Sequence, residues 1–473
     1  MINEINDVQQ KIELVCIENL VPQDHLLRLI DKYIDFSFIR ELTKDLYCHD
    51  NGRPAVDPIV LFKMLFIGYL FGIRSERQLV KDIEVNVAYR WFLGFSLTDK
   101  IPDHSTISQN RIRRYKNTNI AQEIFDNIVL QAIDHGLVRG NILYSDSTHL
   151  KANANKMKFE KQEVEVSVKD YVEELDKAIE EDRISHGKKP LKKKENIKEV
   201  KERRVSTTDP DSGYMYRDNK PEGFFYLDHR TVDSQNNIIV DVHVTPGNVN
   251  DVDPYLKRLD RIRERFKLDV KYVGLDAGYY TNAICKGIFD RNITPVIAYR
   301  RGVYQKGKYS KNKYVYIEEW DVYACPNDSF LEYKTTTRQG YKEYVCNKET
   351  CQSCSHKESC LPDASDFKTI RRHVWEEYKE RNTKFLKTPK GKIIYKRRKE
   401  TIERSFADSK ELHGLRYSRY RGIAAVSEQC LLTAAVQNMK RIARVLASLF
   451  FDKIYGLIKI NSIIKYNYLE IVL

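Results

Sequence analysis

Apolar residues recur every three or four positions, or run unbroken, across residues 1 to about 135, and this spacing predicts helices there. The segment VDPIVLFKMLFIGYLFGIR is apolar almost all round, which predicts a central buried helix. In SERQLVKDIEVNVAYRWFLG, Ser75 is placed to cap a helix that carries Leu79, Ile83 and Trp91 on one face. Pro102-Asp103-His104-Ser105-Thr106 breaks the pattern ahead of ISQNRIRRYK, a short helix bearing Arg111, Arg113 and Arg114. A bundle with an ordinary basic surface and a DNA-docking helix-turn-helix both fit this stretch.

From Gly140 the period shortens. ILYSDSTHLKA reads as a strand ending in a carboxylate flanked by hydroxyl residues. Residues 156 to 204 are densely charged. Val168, Val172, Leu175 and Ile179 predict an amphipathic helix in the first half, and the second half, SHGKKPLKKKENIKEVKERR, reads as a solvated or disordered surface insertion. FFYLDHRTVD and NIIVDVHVTPGNVND, separated by Ser234, Gln235 and Asn236, form a hairpin pattern. DPYLKRLDRIRERF then predicts a helix, KYVGLDAGYY a strand, TNAICKGIFDRN a helix and ITPVIAY a strand, a mixed α/β layout. Residues 303 to 370, rich in Tyr, Lys and Cys, interrupt that rhythm as an inserted module. KETIERSFADSKELHGL predicts a helix closed by Gly414, and AVSEQCLLTAAVQNMKRIARVLASLF a long apolar helix after it. The expected divisions are 1–135, 136–302, 303–370, 371–450 and a tail, 451–473.

Composition narrows the classes. At 473 residues, with 42% hydrophobic and 31% charged residues, the chain is long enough for two or three folded domains. The longest apolar run, Met64 to Ile73, is too short to span a bilayer, and MINEINDVQQ lacks the features of an export signal. A cytoplasmic protein without a membrane partner is expected. The net charge of +13 favours a polyanion partner. Residues 381 to 444 alone hold 17 Lys plus Arg against 5 Asp plus Glu, with Tyr395, Tyr417 and Tyr420 interleaved. That suits a phosphate backbone.

Three acids stand out by context. Asp146 and Asp276 each close an apolar strand, where ligands favour α/β sheets, and Glu403 sits on a helix with Lys410 on the same face, roughly 10.5 Å along the axis. Hard divalent cations need such oxygen ligands, and paired ions can activate a nucleophile and stabilise a leaving oxygen on phosphate. An aspartate at a strand end can equally be a turn residue.

YSDSTHLKANANK, TTDPDSGYMYRDNKP followed by YLDHRTVD, VTPGNVND, VGLDAGYYTNA and IERSFADSKELHGLRYSRYRG occur in that order. Together they resemble bacterial insertion-sequence transposases of the DDE type, the group with a cysteine-bearing insertion before the final acid. The resemblance covers roughly residues 20 to 445. It implies a ribonuclease-H-like mixed sheet, with a helical N-terminal domain for DNA-end binding or dimerisation and a cysteine-rich insertion. It implies Asp146, Asp276 and Glu403 as ligands of Mg²⁺ or Mn²⁺, with Tyr279 and Lys410 at positions matching the family's motif. The superfamily also places an arginine four residues before the glutamate and a tyrosine seven before it. Here those positions are Lys399 and Lys396, and Arg398 and Tyr395 are each displaced by one. The expected DNA contacts are Lys410, Tyr279, Arg398, Arg416, Arg419 and Arg421. The implied chemistry is attack of metal-activated water on a phosphodiester at the transposon end, then attack of the freed 3′-hydroxyl on target DNA. The implied partners are double-stranded DNA and a second copy of the chain in a homodimer, nucleoid-associated when bound.

The cysteines carry a separate signal. Five of the nine lie between Cys325 and Cys360. Cys346, Cys351, Cys354 and Cys360 are the best set for a structural Zn²⁺, with Cys325 and His356 as substitutes, and reduced or redox-active thiols are the alternative. Cys16, Cys48, Cys285 and Cys430 sit in apolar settings and are expected to be buried. His149, on the strand face opposite Asp146, is expected to be structural. Two other functions stay open at this point: a DNA-binding repressor without catalysis, and a ribonuclease-H-like nuclease without strand transfer.

Overall fold

The computed structural model describes residues 14–48, 55–165, 171–191, 200–216, 222–299, 306–362 and 365–471. The leading segment is helical. Pro58–Leu70 starts at an Asp57 cap with Pro58 in its first turn, and residues from Leu61 to Leu70 fill the interior on every side except Lys63. The 75–94 segment is two helices rather than one. Ser75 caps Glu76–Val85 as expected, but the Asn86 side chain accepts from the Tyr89 amide and starts Val87–Leu93. A side chain bonded to its own backbone outcompetes helix continuation there. Similarly, Asp103 does not merely break the pattern but caps His104–Gln109.

The main sheet comprises β1 (Ile142–Lys151), β4 (Gly213–Met215), β5 (Gly223–Asp233), β6 (Ile239–Pro246), β7 (Tyr272–Leu275) and β8 (Thr294–Ile297). Its path is β6-β5-β1-β7-β8, with β4 also on β5. The β6-β5-β1 part is antiparallel and the β1-β7-β8 part parallel. The turn between β5 and β6 is longer than the sequence suggested, spanning 234–238 with Asn237 left-handed at φ 57°. The described residues of the charged insertion, which leave out 166–170 and 192–199, include regular elements. β2 (Phe159–Glu165) and β3 (Val200–Ser206) pair as an antiparallel ribbon on either side of a helix, Val172–Ser185. Alternation within β2 was hidden by charge on both faces; Val168 lies outside the described residues.

Residues 306–373 form a second sheet, β13-β12-β11-β10-β9, made of β9 (Val315–Ile317), β10 (Val322–Ala324), β11 (Phe330–Thr336), β12 (Tyr341–Val345) and β13 (Thr369–His373). It has its own cluster of buried side chains, around Tyr323, Leu331, Tyr344 and Ile370. Beyond it come helices Glu376–Lys387, Pro389–Lys396 and Ile402–Glu411, and then Ile423–Ile471, which continues past the expected start of the tail.

That last helix lies between the leading helices and β6, so one core runs from Leu27 through the sheet to Ala443. The leading helices therefore buttress the sheet. Gly72, at φ +68°, brings the end of Pro58–Leu70 against Leu412, and a Cβ there would meet the Leu412 carbonyl at 3.0 Å. The buried His413 ring donates from Nδ1 to the Tyr69 carbonyl at 3.0 Å, and burial drives its pKa down to about 4, so it is neutral. Arg111 pairs with Glu76 at 2.5 Å beneath Tyr420, and Glu428 faces the same pair. Burial pushes the Glu428 carboxyl up to about 7, Glu76 adding and Arg111 opposing. An acid whose folded pKa exceeds its unfolded value stabilises the fold at low pH and loses that contribution as pH rises through about 7. Thermal melts from pH 5 to 8 should therefore show a loss on the order of 1–3 kcal/mol, absent in Glu428→Gln. A variant with the same pH slope as wild type would refute the assignment.

Candidate active site

Asp146 is not at a strand end. It is the fifth residue of the ten in β1. What ends near it is the parallel pairing: β1 and β7 are in register only from Ile142↔Tyr272 to Tyr144↔Gly274. Asp146 lies two residues beyond the last pair and so does Asp276, so the two carboxylates reach the same level where the strands part. The strands approach closely just before that point. A Cβ on Gly274 would stand 2.5 Å from the Tyr144 ring, whose hydroxyl donates to the Ile394 carbonyl at 2.9 Å.

Asp276 accepts from the Gly278 amide at 2.7 Å, which turns the chain into the short helix Ala277–Tyr279. Asp146 accepts from the Ser147 amide at 2.8 Å with one oxygen and from Arg398 Nη2 at 2.8 Å with the other. The second guanidinium nitrogen, Nη1, lies 3.8 Å from Glu403 Oε1. One buried guanidinium thus joins two of the three acids. Burial pushes the Asp146 carboxyl up to about 6; Arg398 opposes this, while Asp276 and Asp251 add to it.

Arg398 reaches Asp146 despite its displaced position in the sequence. Residues Arg397–Glu400 form a tight 3-10 turn, and Thr401 (φ −110°, ψ −91°) breaks away from it before Ile402–Glu411 begins. That turn absorbs the extra residue between arginine and glutamate. Tyr395 lies beneath, 5.7 Å from the guanidinium carbon. The Ile402–Glu411 helix therefore starts later than its sequence pattern suggested, at Ile402.

That helix packs along β1. Glu403 is half-exposed beside Asp146, and Lys410 donates to Thr148 Oγ1 at 2.6 Å, on the same strand face two residues on. Burial holds the Lys410 ammonium below its usual pKa. The loop after the helix is stitched to the end of β1, where the Ser418 amide donates to the Lys151 carbonyl at 2.8 Å. Arg416 is exposed and paired with Glu411, and exposed Arg421 donates to the Asn153 carbonyl at 3.0 Å. Arg419 is half-buried, 4.7 Å from the Tyr69 ring centre. Tyr279 is placed elsewhere. Its ring is wholly buried against Tyr255 at 5.3 Å, so it has no surface to offer DNA. The turn set by Asp276 points it into the core.

Two features went unread in the sequence. Asp251, the last residue of VTPGNVND, accepts from Ser147 Oγ at 2.7 Å. Arg230, opposite Asp146 on β5, is fully buried with Asp228 at 2.8 Å and donates to Ser409 Oγ at 2.5 Å and to Gln437 Oε1 at 2.8 Å. The available signal was a charged DHR triplet inside an otherwise largely apolar strand pattern. His149 packs edge-on against Phe225, in keeping with a structural role.

In the second sheet, Cys325, Cys346, Cys351, Cys354 and Cys360 line one cavity. Burial, with the neighbouring Cys351 and Cys325, pushes the Cys346 thiol up to about 12. The Cys360 sulfur is 2.9 Å from the Tyr314 hydroxyl, and His356 Nδ1 is bonded to Tyr309. Among the described residues no three His, Cys, Asp or Glu side chains stand at metal-ligating spacing, neither these cysteines nor Asp146, Asp276 and Glu403. Of the scattered cysteines, Cys285 and Cys430 are buried as expected, but Cys16 and Cys48 are exposed. Both lie outside the amphipathic helices, where neighbouring apolar residues do not ensure burial. Among the described residues no helix is long and apolar enough to cross a membrane.

Comparison with known proteins gives two family matches. A transposase domain of the DUF772 type matches residues 15–113, and a transposase DDE domain matches residues 324–443. No curated protein matches. Similar solved structures include a piggyBac transposase synaptic complex with hairpin DNA, at 10% identity and TM-score 0.32 over 89% of this chain and 78% of that one. A Mos1 mariner paired-end complex with Mn is another, at 11% identity and TM-score 0.16 over 55% of this chain and 64% of that one. The leading helices match one transposase model and the segment carrying Glu403 matches a second, and the chain belongs to the insertion-sequence transposases of the DDE type.

Proposed function

We propose that this transposase cuts transposon ends and joins the 3′-hydroxyl to target DNA at a divalent-metal site formed by Asp146, Asp276 and Glu403. The observation that carries the reading is the placement of Asp146 and Asp276 at one level where β1 and β7 part, with Glu403 tied to Asp146 through Arg398. The β6-β5-β1-β7-β8 order, antiparallel then parallel, supports a ribonuclease-H-like sheet. The donor set suits Mg²⁺ or Mn²⁺, since all three side chains offer hard oxygen ligands. The metal supplies activation of water and stabilisation of charge on the phosphate.

The protein's own residues do the positioning. Asp276 is fixed by the Gly278 amide and Asp146 by the Ser147 amide, so neither carboxylate needs to reorganise when charge develops. Arg398 holds Asp146 and Glu403 at a set separation. Lys410, with Arg416 and Arg421 beyond it, lines up positive charge along the course of a DNA strand passing Glu403. Arg419 deepens that field from a half-buried position. The leading helices, 1–135, are assigned to end binding or to pairing of two copies, and 303–370 to a cysteine-rich insertion. The test is nicking of a supercoiled plasmid bearing the element's own ends. Cleavage at the ends that requires Mg²⁺ or Mn²⁺, and joining of a pre-cut 3′ end to plasmid, are expected. Binding without cleavage would favour a repressor, and cleavage without joining a nuclease.

The cysteine cavity is assigned to one structural Zn²⁺ drawn from Cys346, Cys351, Cys354 and Cys360, with Cys325 on the same wall. Metal analysis of protein purified without chelator should give about one zinc per chain. Thiol-specific modification should release it. Zinc content near zero in fully reduced protein would leave the cluster as plain thiols.

A further inference from the structure

The motif VTPGNVND contributes no acid to the set Asp146, Asp276 and Glu403, yet its backbone is held so that its last residue meets β1. β6 ends at Pro246, and the Gly247 amide donates to the Phe225 carbonyl of β5 at 2.8 Å. A Cβ on Gly247 would stand 2.6 Å from that carbonyl oxygen, so only glycine lets the chain lie this close to β5. A turn follows, in which the Asp253 amide donates to the Asn250 carbonyl at 3.1 Å. Asp251 lies within that turn and accepts from Ser147 Oγ at 2.7 Å. Ser147 is also the residue whose amide donates to Asp146 at 2.8 Å.

This stretch of β1 needs holding. Among the described residues, between the last β7 pair at Tyr144 and the Tyr417 bridge at Lys151, β1 is paired with β5 alone. Two hydroxyls on the face away from Asp146 supply further anchors: Ser145 Oγ lies 2.8 Å from Thr231 Oγ1, and Ser147 Oγ is bonded to Asp251. An ionised carboxylate has no proton to give, so the serine must donate, and such a bond is about twice as strong as one between neutral groups. Asparagine would accept as well without adding charge, whereas Asp251 adds to the upward push on the Asp146 carboxyl. We propose that Asp251 is a positioning residue: through Ser147 it fixes the backbone amide that holds Asp146, and so sets the direction in which the Asp146 carboxylate faces. The inference rests on the reading of Asp146, Asp276 and Glu403 as the metal and cleavage site. Groups that orient a metal-binding side chain without touching the metal typically carry about 10–100-fold in metal affinity or activity.

The test titrates Mn²⁺ into the full chain by calorimetry, so that binding is read without turnover, and follows each variant with a melt in EDTA. Asp251→Ala and Ser147→Ala should each weaken Mn²⁺ binding about tenfold or more. The double variant should bind no more weakly than either, because both changes remove one bond. Asp251→Asn, which keeps an acceptor for Ser147, should stay within about threefold of wild type. Unchanged affinity in Asp251→Ala or Ser147→Ala, or losses that add in the double variant, would overturn the positioning role. So would a fall in Tm without a change in affinity, and so would a loss in Asp251→Asn as large as in Asp251→Ala. Asp146→Asn separates the two failures. Mn²⁺ binding lost there but unchanged in Asp251→Ala rejects the positioning role alone. Binding as tight in Asp146→Asn as in wild type, or none in wild type, rejects the metal site and the positioning role with it.

Discussion

Glu403→Gln should abolish metal-dependent cleavage, by on the order of 10²–10³-fold or more, while leaving thermal stability within about 0.5 kcal/mol of wild type. The two halves of that expectation have separate origins. Glu403 is about half-exposed, and its ion pair with Arg398 is long at 3.8 Å, so little of the fold depends on its charge. Activity depends on it differently, because an amide is a poor ligand for a hard cation and supplies no negative charge. Asp146→Asn and Asp276→Asn should lose cleavage to the same extent. A nicking assay with each purified variant, alongside a melt, checks both halves. Cleavage by Glu403→Gln within tenfold of wild type would remove Glu403 from the site. Equal loss of activity and stability would make it a structural residue.

Arg230→Met should produce the largest loss of stability among the substitutions considered, about 3–5 kcal/mol. Arg230 and Asp228 are both wholly buried, and removal of the guanidinium leaves an uncompensated carboxylate in the core. It also frees Ser409 and Gln437, which tie the Ile402–Glu411 helix and the final helix to β5. The apparent Tm should fall by about 3–5 °C for a chain of this length. A double variant, Asp228→Leu with Arg230→Met, should recover part of the loss, because a buried pair replaced by apolar groups of similar volume leaves no orphaned charge. A single variant that melts within about 1 kcal/mol of wild type would show that the pair is not what holds the helix to the sheet.

Much of the element order was legible because it rests on local rules. The apolar periodicity of Pro58–Leu70, the caps at Asp57 and Ser75, and the short strands around Asp276 all express side-chain period and backbone hydrogen bonding within a few residues. Where local competition was subtle, the reading slipped. Asn86 splits a helix, and β2 and β3 pair across a charge-rich insertion whose alternation no single strand displays. Cys16 and Cys48 were expected inside on the strength of their neighbours, and lie outside.

Sequence by itself determined which chemical groups are available: three acids in ordered motifs, a lysine two turns after the last of them, a basic C-terminal window and a run of cysteines. It also determined the element types that carry those groups, because periodicity and capping act over short distances. Only tertiary structure decided which of them meet. Asp146 proved to be mid-strand, significant because the β1–β7 pairing stops at Tyr144, and that is a property of two strands rather than one. Arg398, out of step by one residue, reaches Asp146 because the turn before Thr401 takes up the difference. Tyr279 went the other way, into the core against Tyr255. The physical reason is common to all three. A side chain's surroundings are set by strand register and helix packing between segments far apart in the chain, and those contacts leave no period in the residues that make them.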